Sequence, residues 1–300
     1  MKAAWSARYT MDWAEHVFPV RKYRGIRDRL IADRTLRSED LLEPPPATDD
    51  ELHTVHPEAY LRRLEEMTRS PELGIFEFEV PVTRSVVATF RLMAGGTILA
   101  SRRALDDGAS ANVGGGFHHA FADHGEGFCL LNDLAVAARV LQREGRVKKV
   151  AIIDLDVHQG NGTARIFAGD PSVYTFSMHQ ENNYPPKERS TWDLGLDDGC
   201  GDEEFLGYLR RALPKILDEF KPDLVIYQAG ADPFREDKLG GLGLTIDGLA
   251  ERDRVVASEC RTRKIPIVGT LGGGYARREE DVVTIHSNTI RILKESAADE

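Results

Sequence analysis

Short apolar runs recur along this chain, most of them separated by helical patterns, and each ends in glycine or a charged residue. The runs lie at 111–113, 150–155, 173–176, 224–228 and 267–271, with helical periodicity at 132–144, 203–220 and 246–263. Strands alternating with helices in this way build a parallel sheet covered on both faces. Upstream, a short strand is expected at 3–5 and helices at 21–36, from the capping box Thr48-Asp-Asp-Glu51, at 57–68 behind Pro57, and at 83–105. No repeat or low-complexity linker interrupts the pattern, and the proline break at 44–46 is too short to separate domains. The expectation is a single α/β domain over 1–300, three-layer α/β/α, with a central, mainly parallel sheet.

In such sheets a ligand sits beyond the carboxyl ends of the strands, and nearly all the unusual chemistry of this sequence falls there. The run 150–155 passes into Asp156-Val-His-Gln-Gly-Asn-Gly162. Residues two apart on a strand point the same way, so Asp154, Asp156 and His158 emerge together, and burying them is costly unless a cation holds them. Two oxygens and an imidazole nitrogen suit Zn²⁺ or a neighbouring divalent metal; the plainer reading is an aspartate cap with a surface histidine beyond it. After 111–113, Gly114-Gly-Gly116 lets the backbone turn tightly before Phe117, His118 and His119. Alone, that histidine pair reads as one facing core and one facing solvent; beside a metal it suits proton transfer near neutral pH. Asp232, after 224–228, is on local grounds equally a helix cap or a third ligand that leaves one position open, as in catalytic zinc. Tyr275 follows Gly272-Gly-Gly274, but neither GxxxxGK(S/T) nor GxGxxG follows a suitable strand, which argues against nucleotide binding. A phenol there suits donation to an oxyanion.

The balance of 39 basic against 49 acidic residues, net −10, argues against an extensive nucleic-acid-gripping face. The basic helix at 21–37 also carries acids and reads as a solvated amphipathic face. Cys129, Cys200 and Cys260 are widely spaced and odd in number, so neither a disulfide framework nor a cysteine zinc site is indicated. Without a signal-like apolar segment near Met1 or a membrane-length apolar stretch, a cytoplasmic protein is expected. No heptad seam suggests self-association, and a monomer is the default.

In order, and over nearly the whole chain, these stretches resemble the zinc-dependent histone deacetylases of the arginase/deacetylase fold. Asn112-Val-Gly-Gly-Gly-Phe-His-His119, Gly127-Phe-Cys129 and Asp156-Val-His-Gln-Gly-Asn-Gly162 are most similar to the class IV branch, as are His16-Val-Phe-Pro19 and His53-Thr-Val-His-Pro-Glu-Ala-Tyr60. The resemblance implies one zinc ion on Asp156, His158 and Asp232, acting as Lewis acid in hydrolysis of an acyl amide. It implies His119 as general base, His118 as an electrostatic or proton-transfer partner oriented by Asp154, and Tyr275 as the group polarising the acyl carbonyl. Gly127 and Phe128 would line an acyl-lysine tunnel, with Tyr184 opposite and Leu239 at its gate. A structural K⁺ would use Asp154, Asp156, His158, Ser177 and Met178, mostly through backbone oxygens. Asn161 departs from the commoner pattern, in which aspartate partners the second histidine; a neutral amide stabilises an imidazolium less than a carboxylate does.

The implied substrate is an acetyl-lysine or, as in class IV relatives, a long-chain acyl-lysine of a protein or peptide, with no direct role for nucleic acid or membrane. A two-manganese ureohydrolase of the same fold would need carboxylates at 160 and 234, where the chain has Gly160 and Phe234. A deacetylase of small polyamines would favour Glu near Leu239, although Glu236 and Asp237 are close to that rim. A non-catalytic acyl-lysine binder would have lost a ligand, a histidine or Tyr275; none is lost.

Overall fold

The apolar runs become the inner strands of one sheet, buried along their length except at Tyr174. In a computed structural model, which describes residues 1–13 and 16–297, the strands are β1 Ala3–Ala4, β2 Leu41–Leu42, β3 Ala109–Asn112, β4 Val150–Asp154, β5 Val173–Gln180, β6 Trp192–Leu196, β7 Leu224–Gln228 and β8 Ile267–Thr270. Their order is β2-β1-β3-β8-β7-β4-β5-β6. Every ladder is parallel, so the expected "mainly parallel" sheet is parallel throughout the described residues. All residues of β3, β4, β7 and β8 are buried, which a sheet reaches only when both faces are covered. Helices Arg84–Asp107 and Glu279–Ala297 both pack on β3 and β8.

Helix starts follow their caps. Thr48 and Glu51 close the expected box, with Glu51 N donating to Thr48 Oγ1 at 3.2 Å and Thr48 N to Glu51 Oε2 at 2.9 Å. That box opens only the single turn Asp49–Leu52. Thr83, Asn132 and Thr245 each accept a main-chain N–H from the first turn that follows, opening Arg84–Asp107, Asp133–Arg143 and Ile246–Thr262.

The fold departs from the sequence expectation in several places. The first helix is Lys22–Ala32, followed by a short 3₁₀ turn at Ser38–Asp40, so it stops short of 36. Its basic stretch is not wholly solvated: Lys22 is 0 % exposed and sits with Tyr23, Ile26 and Leu30 on the buried face. β6 carried no apolar run because only its last residue, Leu196, is buried, as suits an edge strand with one neighbour.

Candidate active site and metal centre

β3, β8, β7 and β4 are neighbours in the sheet, so the loops leaving their carboxyl ends converge. The loop after β3 is shaped by Asp133, a buried carboxylate at the start of Asp133–Arg143. It accepts from the main-chain nitrogens of Gly116 (3.0 Å) and Phe117 (2.8 Å) and from Thr97 Oγ1 (2.5 Å). Burial pushes its pKa up, and these donors oppose that. Gly116 has φ +91°, and a Cβ there would collide with Gln228 and the Gly272 nitrogen, so only glycine closes this turn. Opposite, Lys22 Nζ donates to the Gly272 carbonyl at 2.6 Å and lies 4.7 Å from the Phe18 ring centroid, tying the loop after β8 to the first helix.

At the centre, one ligand atom each from Asp156, His158 and Asp232 lies within 4.8 Å of the others, and all three residues are buried. The imidazole turns Nδ1 inward, 3.3 Å from Asp156 Oδ1 and 3.3 Å from Asp232 Oδ2. Main chain holds the other carboxylate oxygens: Val157 N donates to Asp232 Oδ1 at 2.9 Å and Gly273 N to Asp156 Oδ2 at 3.0 Å. Asp232 Oδ2 itself is buried without a hydrogen-bond partner, an unstable condition for a carboxylate that a bound cation relieves. A Cβ at Gly273 would run into that oxygen, and one at Gly230 would run into Asp156 Oδ2, so the cradle is kept free of side chains. Burial lowers the pKa of His158, but the flanking carboxylates of Asp156 and Asp232 outweigh it and raise the value to about 10. Burial also raises Asp232, reinforced by Asp156. A trio that holds a proton this firmly offers the same lone pairs to a divalent ion, and an Asp-His-Asp donor set fits zinc.

The two histidines after β3 have different partners. His118 Nδ1 lies 2.6 Å from Asp154 Oδ2; burial depresses its pKa, but the charges of Asp154 and Asp156 prevail and lift it to about 9. His119 Nδ1 lies 2.8 Å from Asn161 Oδ1, and Asn161 Nδ2 donates to Glu126 Oε2 at 2.8 Å. An ionised carboxylate only accepts, so the amide must turn its NH₂ to Glu126 and its oxygen to His119. Neutral His119 therefore carries its proton on Nδ1 and leaves Nε2 as the free base. Burial, then the charges of His118 and His158, hold its pKa well below the usual histidine value. Asp154 also accepts from Asp156 N at 3.1 Å and pairs in register with Ser177.

Tyr275 is 7 % exposed, its ring edge-on to Phe18, Phe128 and His158. Burial raises its phenol well above the ordinary value, so it remains a donor at neutral pH. A cavity of about 410 Å³ ends on His119, His158 and Tyr275 and is walled by Gly127, Phe128, Tyr184 and Leu239, with His16, Val17, Glu79 and Asn183 completing it. Its volume is in the range that small-molecule pockets occupy.

The structure thus gathers His118, His119, Asp154, Asp156, His158, Asn161, Asp232 and Tyr275 at one place, and Ser177 and Met178 on the strand beside Asp154. The rim differs from the expectation: Asp237 is not a free gate carboxylate, because it accepts from the main-chain nitrogens of Tyr275 (2.6 Å), Leu239 (2.8 Å) and Gly240 (3.0 Å). The acid that does line the mouth is Glu79. Glu126 had no linear signal, being 35 residues from Asn161. A Cβ at Gly160 would collide with Asp154 Oδ2, so the absence of a second-metal carboxylate there has a packing reason.

The histone deacetylase domain family matches residues 16–290. An uncharacterised protein of Picosynechococcus is 42% identical over 274 residues, 91% of each chain. Histone deacetylase 2 of Arabidopsis thaliana is 34% identical over 89% of this chain and 72% of its own, and a probable deacetylase of Archaeoglobus fulgidus 34% over 83% and 73%. Among solved structures, the histone deacetylase homologue of Aquifex aeolicus superposes with TM-score 0.83 at 25% identity, covering 98% of this chain and 84% of that one. A histone deacetylase homologue complexed with SAHA gives 0.83 at 26% with the same coverage. Family match, parallel sheet and site geometry agree, and the chain belongs to the histone deacetylase family.

Proposed function

We propose that this chain is a zinc-dependent lysine deacylase of the class IV kind, acting as one catalytic domain on acetyl or long-chain acyl groups of proteins or peptides. One observation carries the reading: a buried Asp-His-Asp trio, a histidine with Nε2 free and a buried phenol meet at the end of an apolar-walled cavity of about 410 Å³. Asp156, His158 and Asp232 would hold zinc, which when bound would supply a Lewis acid for the acyl carbonyl and lower the pKa of water.

The chain's own groups do the rest. Phe128 and Tyr184 hold the lysine stem and keep water out. Tyr275 donates its hydroxyl proton as a hydrogen bond to the acyl oxygen as charge develops there. His119 takes the proton of the attacking water at Nε2, which the Asn161–Glu126 arrangement keeps vacant. It returns that proton to the departing amine. His118, paired with Asp154, keeps a positive charge beside the developing anion. A structural K⁺ on Asp154, Asp156, His158, Ser177 and Met178 fits the ladder pairing of Asp154 with Ser177. A cytoplasmic setting suits three cysteines that are free and buried, and none of the described helices is long and apolar enough to cross a membrane.

The test is a kcat/KM series on one peptide bearing acetyl, octanoyl and myristoyl lysine with zinc-loaded protein. Values rising with chain length are expected, and equal or falling values reject the long-chain preference. Bound zinc without turnover at any length rejects catalysis in favour of a binder. His119→Ala is expected to lower kcat by about 10²–10⁴-fold. Glu79 at the mouth favours one second reading, a deacetylase of small acylated amines, since its carboxylate suits a cationic substrate. Acetylpolyamine turnover exceeding that of every peptide would select it.

A further inference from the structure

Arg252 is among the largest fully buried side chains of the molecule, 0 % exposed on helix Ile246–Thr262, and none of the chemistry above uses it. Its Nη1 donates to two main-chain carbonyls, Gly230 O at 2.6 Å and Leu155 O at 3.2 Å. Leu155 immediately precedes Asp156, and Gly230 lies two residues before Asp232. The β4–β7 ladder pairs Asp154 with Gln228, and Leu155 N still donates to Gln228 O at 3.1 Å. The paired residues of the ladder end at Asp154 and Gln228, and Arg252 Nη1 bridges the two segments just beyond that end.

The guanidinium is itself held in one orientation. Asp253 accepts from Arg252 Nε at 3.0 Å and lies 2.9 Å from Nη2. The same carboxylate accepts from Tyr227 Oη at 2.5 Å and Thr289 Oγ1 at 2.6 Å, fixing it to β7 and to the C-terminal helix. The planar fork suits this task, since one edge can face Asp253 while Nη1 faces the carbonyls; an ammonium has no such geometry. Arg252 and Asp253 together are neutral, so the pair sets a distance without opposing a cation at the nearby trio.

We propose that Arg252 is a positioning residue of the metal centre: by clasping Leu155 O and Gly230 O it sets the separation of Asp156 and Asp232, and with it the size of ion they accept. This rests on the metal-dependent reading of the site, and its test needs no turnover. Zinc and the larger Cd²⁺ are titrated by chelator competition into wild type, Arg252→Lys, and the double variant Arg252→Gln/Asp253→Asn, which removes both charges together. Variants are scored only where circular dichroism and cooperative unfolding show a native fold. The expected result is zinc affinity reduced at least tenfold and the zinc-to-cadmium affinity ratio reduced at least fivefold, because a loosened gap tolerates the larger ion. General destabilisation would weaken both metals alike, so a parallel loss, or affinities within twofold of wild type, overturns the proposal. Failure of both variants to fold overturns it too, since the pair would then serve the fold as a whole. Wild type binding neither metal defeats the metal-dependent reading itself, an outcome distinct from variants that bind in parallel with it.

Discussion

His119 sits between two kinds of influence, a burial and charge environment that strips its proton and an amide that does little to restore it. In the proposed role of general base His119 works only when deprotonated, so a lowered pKa keeps it competent to more acid pH. Replacing the amide with a carboxylate adds a negative charge 2.8 Å from Nδ1, which favours the imidazolium. Asn161→Asp is therefore expected to move the acid limb of the kcat/KM profile to higher pH, so that the loss relative to wild type is larger at pH 6 than at pH 8. An acid limb left in place would remove Asn161 from control of the base. The departure at 161 was visible in the motif. What it means was not, because Glu126 stands behind the amide and fixes its orientation from a distant loop. A carboxylate is still present in this relay, one residue further from the ring.

At the scale of elements, what was legible followed from local rules. Helical periodicity placed the longer helices, glycine and apolar runs placed the inner strands, and the strand ends gathered the reactive residues. The missed features depend on tertiary burial. Lys22 looks in sequence like its exposed neighbours Arg21 and Arg24, yet only Lys22 turns inward to grip Gly272 O. Asp133 and Arg252 likewise look like ordinary helix charges until the loops they hold are in place. Lys22 gives a measurable consequence. Burial, partly offset by Asp232, Asp156 and Asp237, lowers its pKa from 10.5 to about 8. Between those values the unfolded chain binds the proton and the folded chain does not, so stability rises with pH through this window. Below about pH 8 both states are protonated and the full penalty of burying the charge applies. At 1.36 kcal/mol per pKa unit the change is of order 3 kcal/mol. Urea unfolding of metal-free wild type and Lys22→Met at pH 7.5 and pH 10 is expected to show wild type gaining stability relative to the variant as pH rises. No relative gain would place the Lys22 pKa near its unfolded value and so contradict its complete burial. The variant also leaves Gly272 O without its donor, and lower kcat is expected from a less fixed Tyr275.

For the whole molecule, the largest concentration of buried charge is at the centre of the site, where Asp154, Asp156, Asp232, His118 and His158 are all at most 6 % exposed. The fold tolerates this because protons occupy the imidazoles in the metal-free state: His158 is raised to about 10 and His118 to about 9. Zinc at the trio needs the His158 lone pair, so binding must release that proton, and each proton released makes the apparent affinity rise tenfold per pH unit. Binding to the native state alone stabilises it by RT ln(1 + [L]/Kd), about 4 kcal/mol at a thousandfold excess over Kd. The two relations join in one expectation. The rise in Tm on adding zinc at a fixed, buffered free concentration should be several degrees and should grow from pH 6 to pH 8, by about 1.4 kcal/mol of stabilisation per pH unit for one proton. Asp156→Ala and Asp232→Ala should abolish the increment, because each removes a ligand and the orphaned partner then keeps its proton or charge unpaired. An increment that is flat or falls with pH would mean that His158 is not the group giving up its proton. Either the imidazole is then already neutral in the metal-free state, or the metal binds elsewhere; loss of the increment in Asp156→Ala and Asp232→Ala separates the two.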